Sequence, residues 1–573
     1  MRKHSSLLWA AVMLCLPVLA GCQHETPAEK ATGKQEKPDL SVAEECQRKL
    51  GTAIARMYPD SMATQTRRDT VVNGLNAWLS SCGAKESPKI SDANGALMSP
   101  TALRTAGSVR FTENDVVYIR DCLLLKSLTE SIWKQADQAI NTTAAQNLQA
   151  TNRDRVVLLF RHLMRNISLL NDDEQRVPLG LYEVLMTGRG TVDDRVWAFG
   201  ESLRQRQLDC VILRASGGDA ASDEIVQAAD LLLAVVDGKD VMLFDPVRAT
   251  AVPQAGDSSP LVLQPAGLDA ISGDDRWKAA KVEIICHPSG YAPRMIGLQS
   301  QLDARDSAVL YEELAGGTSA IRPLRERLND ALGSVWKQDS FQVWSYPETR
   351  VAESAALDEG QKQELSKLMK PFDSPFERES VDLEDIISDP TQNVEQLTEE
   401  EKKEMWNNAL NEFLNRSNER SDVLFGKPSG RLRSTRLEQV MGNVELAMIQ
   451  ELQQIRIANL QEKLTWLQSN GQPISLPRAM LEVQRAAVSD SLFWTSMCQI
   501  ARNDFGAALA TLRNYRSQYP EGKMFLPSML SEAEVLMAMN EPAAAAEVLA
   551  KADVDGNPQR IEAKWRLSRL APR

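Results

Sequence analysis

The sequence predicts an α+β protein that is predominantly α-helical. Apolar residues recur at helical spacing through 41–149 and again through 406–573, while short apolar runs bounded by turn signals cluster between 188 and 344. Apolar residues make up 43% of the 573, an ordinary share for a folded chain, and the length allows about three to five domains. A formal charge of −13 argues against nucleic-acid binding, which needs a basic surface to displace phosphate counterions. The histidines are His4, His24, His162 and His287. The first lies in a leader and the second in a polar tail, so His162 and His287 alone can serve a folded site.

Residues 1–21 open on Arg2, Lys3 and His4, continue through the apolar run Leu7 to Ala20, and lead to Leu19-Ala20-Gly21-Cys22. A short apolar segment after basic residues is a secretory signal; a membrane span needs about 20 apolar residues. Leu-Ala-Gly-Cys resembles the lipobox of bacterial lipoproteins. That resemblance implies cleavage before Cys22, diacylation of its thiol and acylation of its new amine. The membrane is then a partner through the lipid at Cys22, at about 0.8 kcal/mol per buried CH₂. By the same resemblance Gln23 favours the outer membrane, facing the periplasm. Loss of Arg2 and Lys3 takes the charge from −13 to −15. Residues 22–40, rich in Lys, Glu, Thr and Pro, read as a flexible tether.

With Cys15 in the leader and Cys22 on lipid, Cys46, Cys82, Cys122, Cys210, Cys286 and Cys498 remain. In an exported chain six cysteines permit up to three disulfides in fifteen pairings. A helix-bundle bridge among Cys46, Cys82 and Cys122 is one expectation, and service as small buried hydrophobes is the other.

The elements follow from spacing. Val42, Cys46, Leu50, Ile54 and Met57 form one helical stripe, and Val71, Leu75, Trp78, Leu79 and Cys82 another. A helix begins at Thr112 with Asp115 as capping partner, and Val156 to Ile167 is an apolar helix in which His162 reads as a packed core residue. Gly188 to Thr191 is a turn, and Asp193 to Gln207 a helix whose first-turn acids suit its dipole. Val211 to Leu213 reads as a buried strand. Leu231 to Val236 and Val241 to Phe244 read as a hairpin joined by Asp237-Gly238-Lys239. Lys281 to Cys286 and Phe341 to Trp344 are further strands. The acidic stretch 377–404 reads as a solvated linker, and Arg416 to Arg436 as a basic loop. Leu437 opens a long helix running through Leu460 and Trp466.

Near the C-terminus, Asn503-Asp504-Phe505-Gly506-Ala507-Ala508-Leu509, followed by Tyr519-Pro520, resembles the second half of a tetratricopeptide repeat. Asn540-Glu541-Pro542-Ala543-Ala544-Ala545 repeats its turn and small-residue helix. Fewer than three repeats do not make a free-standing stack, so these should lean on the preceding helices.

Arg189 to Pro246 resembles the transglutaminase-like (papain-related) core. That family opens a helix with Gly-x-Cys, ends it with Leu-Arg-x-x-Gly, and later places His-x-Trp and Asp-Pro on strands. Here Gly190-Thr191-Val192 opens the helix, Leu203-Arg204-Gln205-Arg206-Gln207 closes it, and Phe244-Asp245-Pro246 ends the later strands. The cysteine position falls on Val192, or on Thr191 with a slip of one. The histidine position falls at about Ala229 or Asp230, and Asp245 alone matches. A thiolate at a helix N-terminus needs an imidazolium beside it, so the site reads as a degenerate remnant of Thr191, Val192 and Asp245. Thr191, with no base at hand, is better read as an N-cap.

The predicted organisation is a signal (1–21), a tether (22–40), a helical N-terminal domain (41–149), a degenerate transglutaminase-like domain (150–300), a helical and strand extension (301–350), an acidic linker (351–405), and a helical C-terminal domain with tetratricopeptide-like repeats (406–573). The expected function is non-catalytic binding of envelope protein partners, with no catalytic residue, metal or cofactor. The alternative is a cysteine peptidase or amidase acting on envelope peptides, pairing Cys210 or Cys286 with His162 or His287.

Overall fold

The computed structural model describes residues 41–57, 62, 65–82, 98–143, 149–170, 177–215, 230–291, 293–298, 328–333, 341–372, 398, 400, 432–460, 466–467, 473–474 and 478–570. The signal, the tether with Cys22, Ala229, most of the acidic stretch 377–404 and residues 401–431 lie outside the described residues. The chain divides into two compact units, Met1–Glu45 and Cys46–Arg573.

The protein is mixed α+β and mainly helical. In chain order come α1 (Val42–Ala55), α2 (Gln65–Cys82), α3 (Pro100–Ala106) and α4 (Glu113–Thr143), as their apolar stripes require. A disulfide between Cys46 and Cys82 ties α1 to α2, while Cys122, Cys210, Cys286 and Cys498 are buried thiols. At the start of α4 the Thr112 amide donates to Asp115 at 2.6 Å and the Asp115 amide reaches back to the Thr112 hydroxyl at 3.4 Å, the reciprocal cap its spacing implied.

Next are α5 (Asn152–Asn166), β1 (Ser168–Leu169), α6 (Leu181–Thr187), β2 (Arg189–Gly190) and α7 (Val192–Arg204). The stretch read as a turn therefore also carries β2, which pairs with β1 in parallel. One sheet follows, from β3 (Asp209–Arg214), β4 (Leu231–Asp237), β5 (Asp240–Asp245), β6 (Thr250–Ala251), β7 (Lys281–Ile285) and β8 (Phe341–Trp344), ordered β6-β5-β4-β3-β7-β8. The β7–β8 pair is parallel and the other neighbours are antiparallel. In the β4–β5 hairpin Asp237 pairs with Asp240 across Gly238, whose φ is +65°, a conformation glycine adopts without steric cost.

Both faces of the sheet are covered. Cys210, Ile212, Leu233, Val235, Met242 and Phe244 share a core with α5 and α7. The alternate residues Val211, Leu213, Leu232, Ala234 and Val236 pack with Trp277, Leu328 and Leu332. Strands covered on two faces read as unbroken apolar runs, which is why they stood out in the sequence.

After α8 (Asp269–Ser272), α9 (Tyr346–Ala355) and α10 (Glu359–Met369), the helical C-terminal part contains α11 (Leu432–Val440), α12 (Leu446–Leu460), α13 (Arg478–Ala501), α14 (Phe505–Gln518), α15 (Phe525–Ala538), α16 (Pro542–Ala552) and α17 (Arg560–Leu570). The long helix expected from Leu437 through Trp466 is instead two. Gly442, at φ +81°, ends α11's last turn, Asn443 accepts from the Glu445 amide before α12, and Trp466 lies in a two-residue strand. The turns before α14 and α16 repeat closely. Asn503 and Asn540 have φ of 60° and 61°. Their amides donate to Ile500 and Met537, and the amides of Asp504 and Glu541 to Gln499 and Leu536. Ala508, Leu512 and Tyr515 correspond to Ala545, Leu549 and Ala552, all fully buried.

These helices share the α/β core. Phe493 and Trp494 of α13 belong to the same hydrophobic cluster as Phe160, Phe199 and Phe244. At the junction sits Arg436, which the sequence reading placed in a solvated loop; it is fully buried on α11. Its guanidinium donates to the carbonyls of Leu185 (2.6 Å) and Met186 (3.2 Å) at the end of α6, to Asn166 of α5 (2.9 Å), and to Gln439. It also lies 3.3 Å from the ring centroid of Trp494. Trp494 packs on Gly188, which closes α6 at φ +67° where a Cβ would collide with the indole. Burial pulls the Arg436 pKa down to about 9, so it stays charged at neutral pH. Arg436→Met strands the acceptors of Leu185, Met186 and Gln439 in the core and is expected to cost about 3–5 kcal/mol, read as a lowered urea midpoint.

Candidate functional site

Thr191 is the N-cap of α7. Its hydroxyl accepts from the Asp194 amide (3.2 Å) and its amide donates to the Asp194 carboxylate (2.8 Å). The Tyr346 hydroxyl donates to Asp194 (2.8 Å), lies 3.2 Å from the Thr191 hydroxyl, and receives an Arg350 N–H at 3.1 Å. Burial raises the Asp194 carboxyl, offset by the Arg350 charge. Val192, at the family's cysteine position, is half-buried against the core. A helix start that could stabilise a thiolate therefore carries a valine and a carboxylate locked into a cap.

Asp245 ends β5 in a different set of contacts. Its Oδ1 accepts from the amides of Val247 (3.0 Å) and Arg248 (2.8 Å), and its Oδ2 lies 3.4 Å from the Arg248 guanidinium. Asp230, at the histidine position, pairs with Arg276 at 2.9 Å. Gln207, where the family places glycine, has φ of +58°. The structure thus joins Thr191 to Tyr346 and Asp245 to Arg248, and no described contact joins Thr191 to Asp245.

The two folded histidines are both buried. His162 Nε2 lies 3.2 Å from the Val440 carbonyl, and burial lowers its pKa to about 4. His287 accepts from the Ser289 amide, stacks on Tyr118 at 4.6 Å, and is lowered by burial to about 3. Cys210 lies inside β3 and Cys286 directly after β7, on opposite faces of the sheet. Among the described residues no group of three or more His, Cys, Asp and Glu could hold a metal ion, and no helix is long and apolar enough to cross a membrane.

A cavity opens where α5 and the β5–β6 turn meet α15 and α17. Its walls include Phe160, Phe244, Leu261, Val262 and Leu530, and it offers water centres about 40 Å³, room for about three waters. Arg161 donates to Glu534 at 2.7 Å, and Arg165 to the same carboxylate at 2.7 Å and 3.1 Å. Burial alone would raise Glu534, yet the guanidiniums of Arg165 and Arg161 hold it well below the usual carboxylate range. Arg566 pairs with Glu562 at 2.7 Å, and Arg195 of α7 lies 3.9 Å behind Glu562. Sequence reading missed this cluster. The i, i+4 pairs Arg161/Arg165 and Glu562/Arg566 look like solvated helix faces, and their partners lie hundreds of residues away. A larger, open groove of about 890 Å³ runs between α4 and the α11–α12 and α13–α14 turns.

No protein-family model, curated protein or solved structure matches the chain.

Two tests follow from this geometry. A left-handed non-glycine residue costs about 1–2 kcal/mol, offset by glycine's added freedom in the unfolded chain. Gln207→Gly is therefore expected to stabilise by about 0.5–1 kcal/mol in chemical denaturation. Burial raises the Asp245 carboxyl to about 6, with Arg248 opposing. Because the folded state binds this proton more tightly than the unfolded chain, the stability it contributes is full below the ordinary value of 3.8 and is lost as pH rises to about 6. Asp245→Asn should gain on wild type by about 2 kcal/mol between pH 4 and pH 7, measured by urea melts at both.

Proposed function

We propose that the protein is a bacterial envelope lipoprotein, held on the membrane by acyl chains at Cys22, whose folded part is a non-catalytic scaffold for envelope proteins. In this reading the α/β core is a pseudo-transglutaminase domain and α13–α17 are tetratricopeptide-like helices bound to it. The observation that carries it is the closed start of α7, where Thr191 and Asp194 are consumed by each other and by Tyr346. A cysteine peptidase needs an accessible thiolate beside a basic imidazole. His162 and His287 are buried neutral bases, and Cys210 and Cys286 are buried as well, which supports the scaffold reading over the peptidase. The period-37 repeat of Asn503 and Asn540, with its matching buried positions, supports the repeat assignment.

Metabolic labelling with an alkyne fatty acid should mark the wild-type chain and not Cys22→Ala; labelling retained in Cys22→Ala refutes the anchor. In-cell crosslinking should recover the same envelope proteins with wild type and with folded Cys210→Ser, Cys286→Ser or His287→Ala chains. Turnover of an envelope peptide, lost in any of these variants, would establish the enzyme instead.

A further inference from the structure

The cavity between α5, the β5–β6 turn, α15 and α17 carries a surplus of cationic donors. Three guanidiniums line it, those of Arg161, Arg165 and Arg566, against two carboxylates, Glu534 and Glu562. Glu534 serves both Arg161 and Arg165, whereas Arg566 holds Glu562 through Nη2. The Nη1 of Arg566 is buried with no hydrogen-bond partner, and Arg566 is 8% exposed. Behind Glu562, the Nη2 of the fully buried Arg195 is also without one. A buried cationic donor left unmatched costs more than one engaged by an anion. The lining also includes the apolar side chains of Phe160, Phe244, Leu261 and Leu530.

We infer that this cavity is a binding site for an aliphatic monocarboxylate, its oxygens taken by the guanidiniums of Arg161, Arg165 and Arg566 and its hydrocarbon by the apolar lining residues. A surplus of positive charge suits an anion, and guanidinium presents paired donors that fit the two oxygens of a carboxylate. Room for about three waters matches the carboxylate and the carbon next to it, so any longer body lies outside the enclosed space. The inference stands independently of whether the α7 start is catalytic.

The test is isothermal titration of the full-length protein in detergent with sodium butyrate and N-acetylleucine, at matched ionic strength, with butyramide as the uncharged control. Saturable binding of the acids and none of butyramide is expected. Tighter binding of N-acetylleucine assigns the carboxylate to a peptide end, and tighter butyrate to a free acid. Arg566→Gln should weaken binding at least tenfold. Leu261→Trp, which adds bulk to the lining, should abolish it in a chain that remains folded. In the unaltered protein butyrate, and not butyramide, should slow phenylglyoxal labelling of Arg566 mapped by mass spectrometry. No saturable binding, equal binding of butyramide, equal affinity in a folded Leu261→Trp chain, or labelling of Arg566 indifferent to butyrate would each overturn the site.

Discussion

One guanidinium organises the meeting of the α/β core with the C-terminal helices. Arg436 carries its charge fully buried into the core, and it does so because acceptors from three separate elements converge there. The last carbonyls of a helix have no partner within the helix, and the two at the end of α6 are satisfied by Arg436. Asn166 of α5 supplies a third acceptor and Trp494 a ring face. Removing any contributor leaves the others short, so α5, α6, α11 and α13 hold a single mutual arrangement. Gly188 belongs to that arrangement, because Trp494 can reach Arg436 only across a residue without a Cβ.

The same logic recurs at Glu534. An acid from α15 is buried against two arginines of α5, so the helical repeat region is fixed to the α/β core by charge as well as by apolar packing. Charge pairs of this kind add less net stability than an apolar replacement would, but they penalise every misaligned docking. The cavity lies beside these pairs, with Arg161, Arg165 and Glu534 all in its lining.

Much of the local structure was legible. Val211 to Leu213, the hairpin about Gly238, the Thr112 and Thr191 caps and the turn at Asn503 all depend on neighbours in sequence, and spacing reveals those. What escaped was long-range. Arg416 to Arg436 read as a basic loop because nothing near Arg436 announces that Leu185, Met186 and Asn166 wait as acceptors some 250 residues earlier. The break at Gly442 was hidden by apolar residues that continue in helical register on either side of it. Thr191 reads as an N-cap from its neighbours in sequence, yet the role of Tyr346 beside it does not, since a tyrosine after a strand has no motif.

The separation of these partners has a consequence for how the chain acquires its structure. Arg165 and Glu534 are 369 positions apart, and at about 5–20 residues per second roughly 20–70 seconds of synthesis elapse between them. Through that interval α5 and α6 carry buried-type polar groups with nothing to satisfy them, and the core lacks Trp494. The contacts of Arg165 and Gly188 with these helices therefore form only once Trp494 and Glu534 have been made.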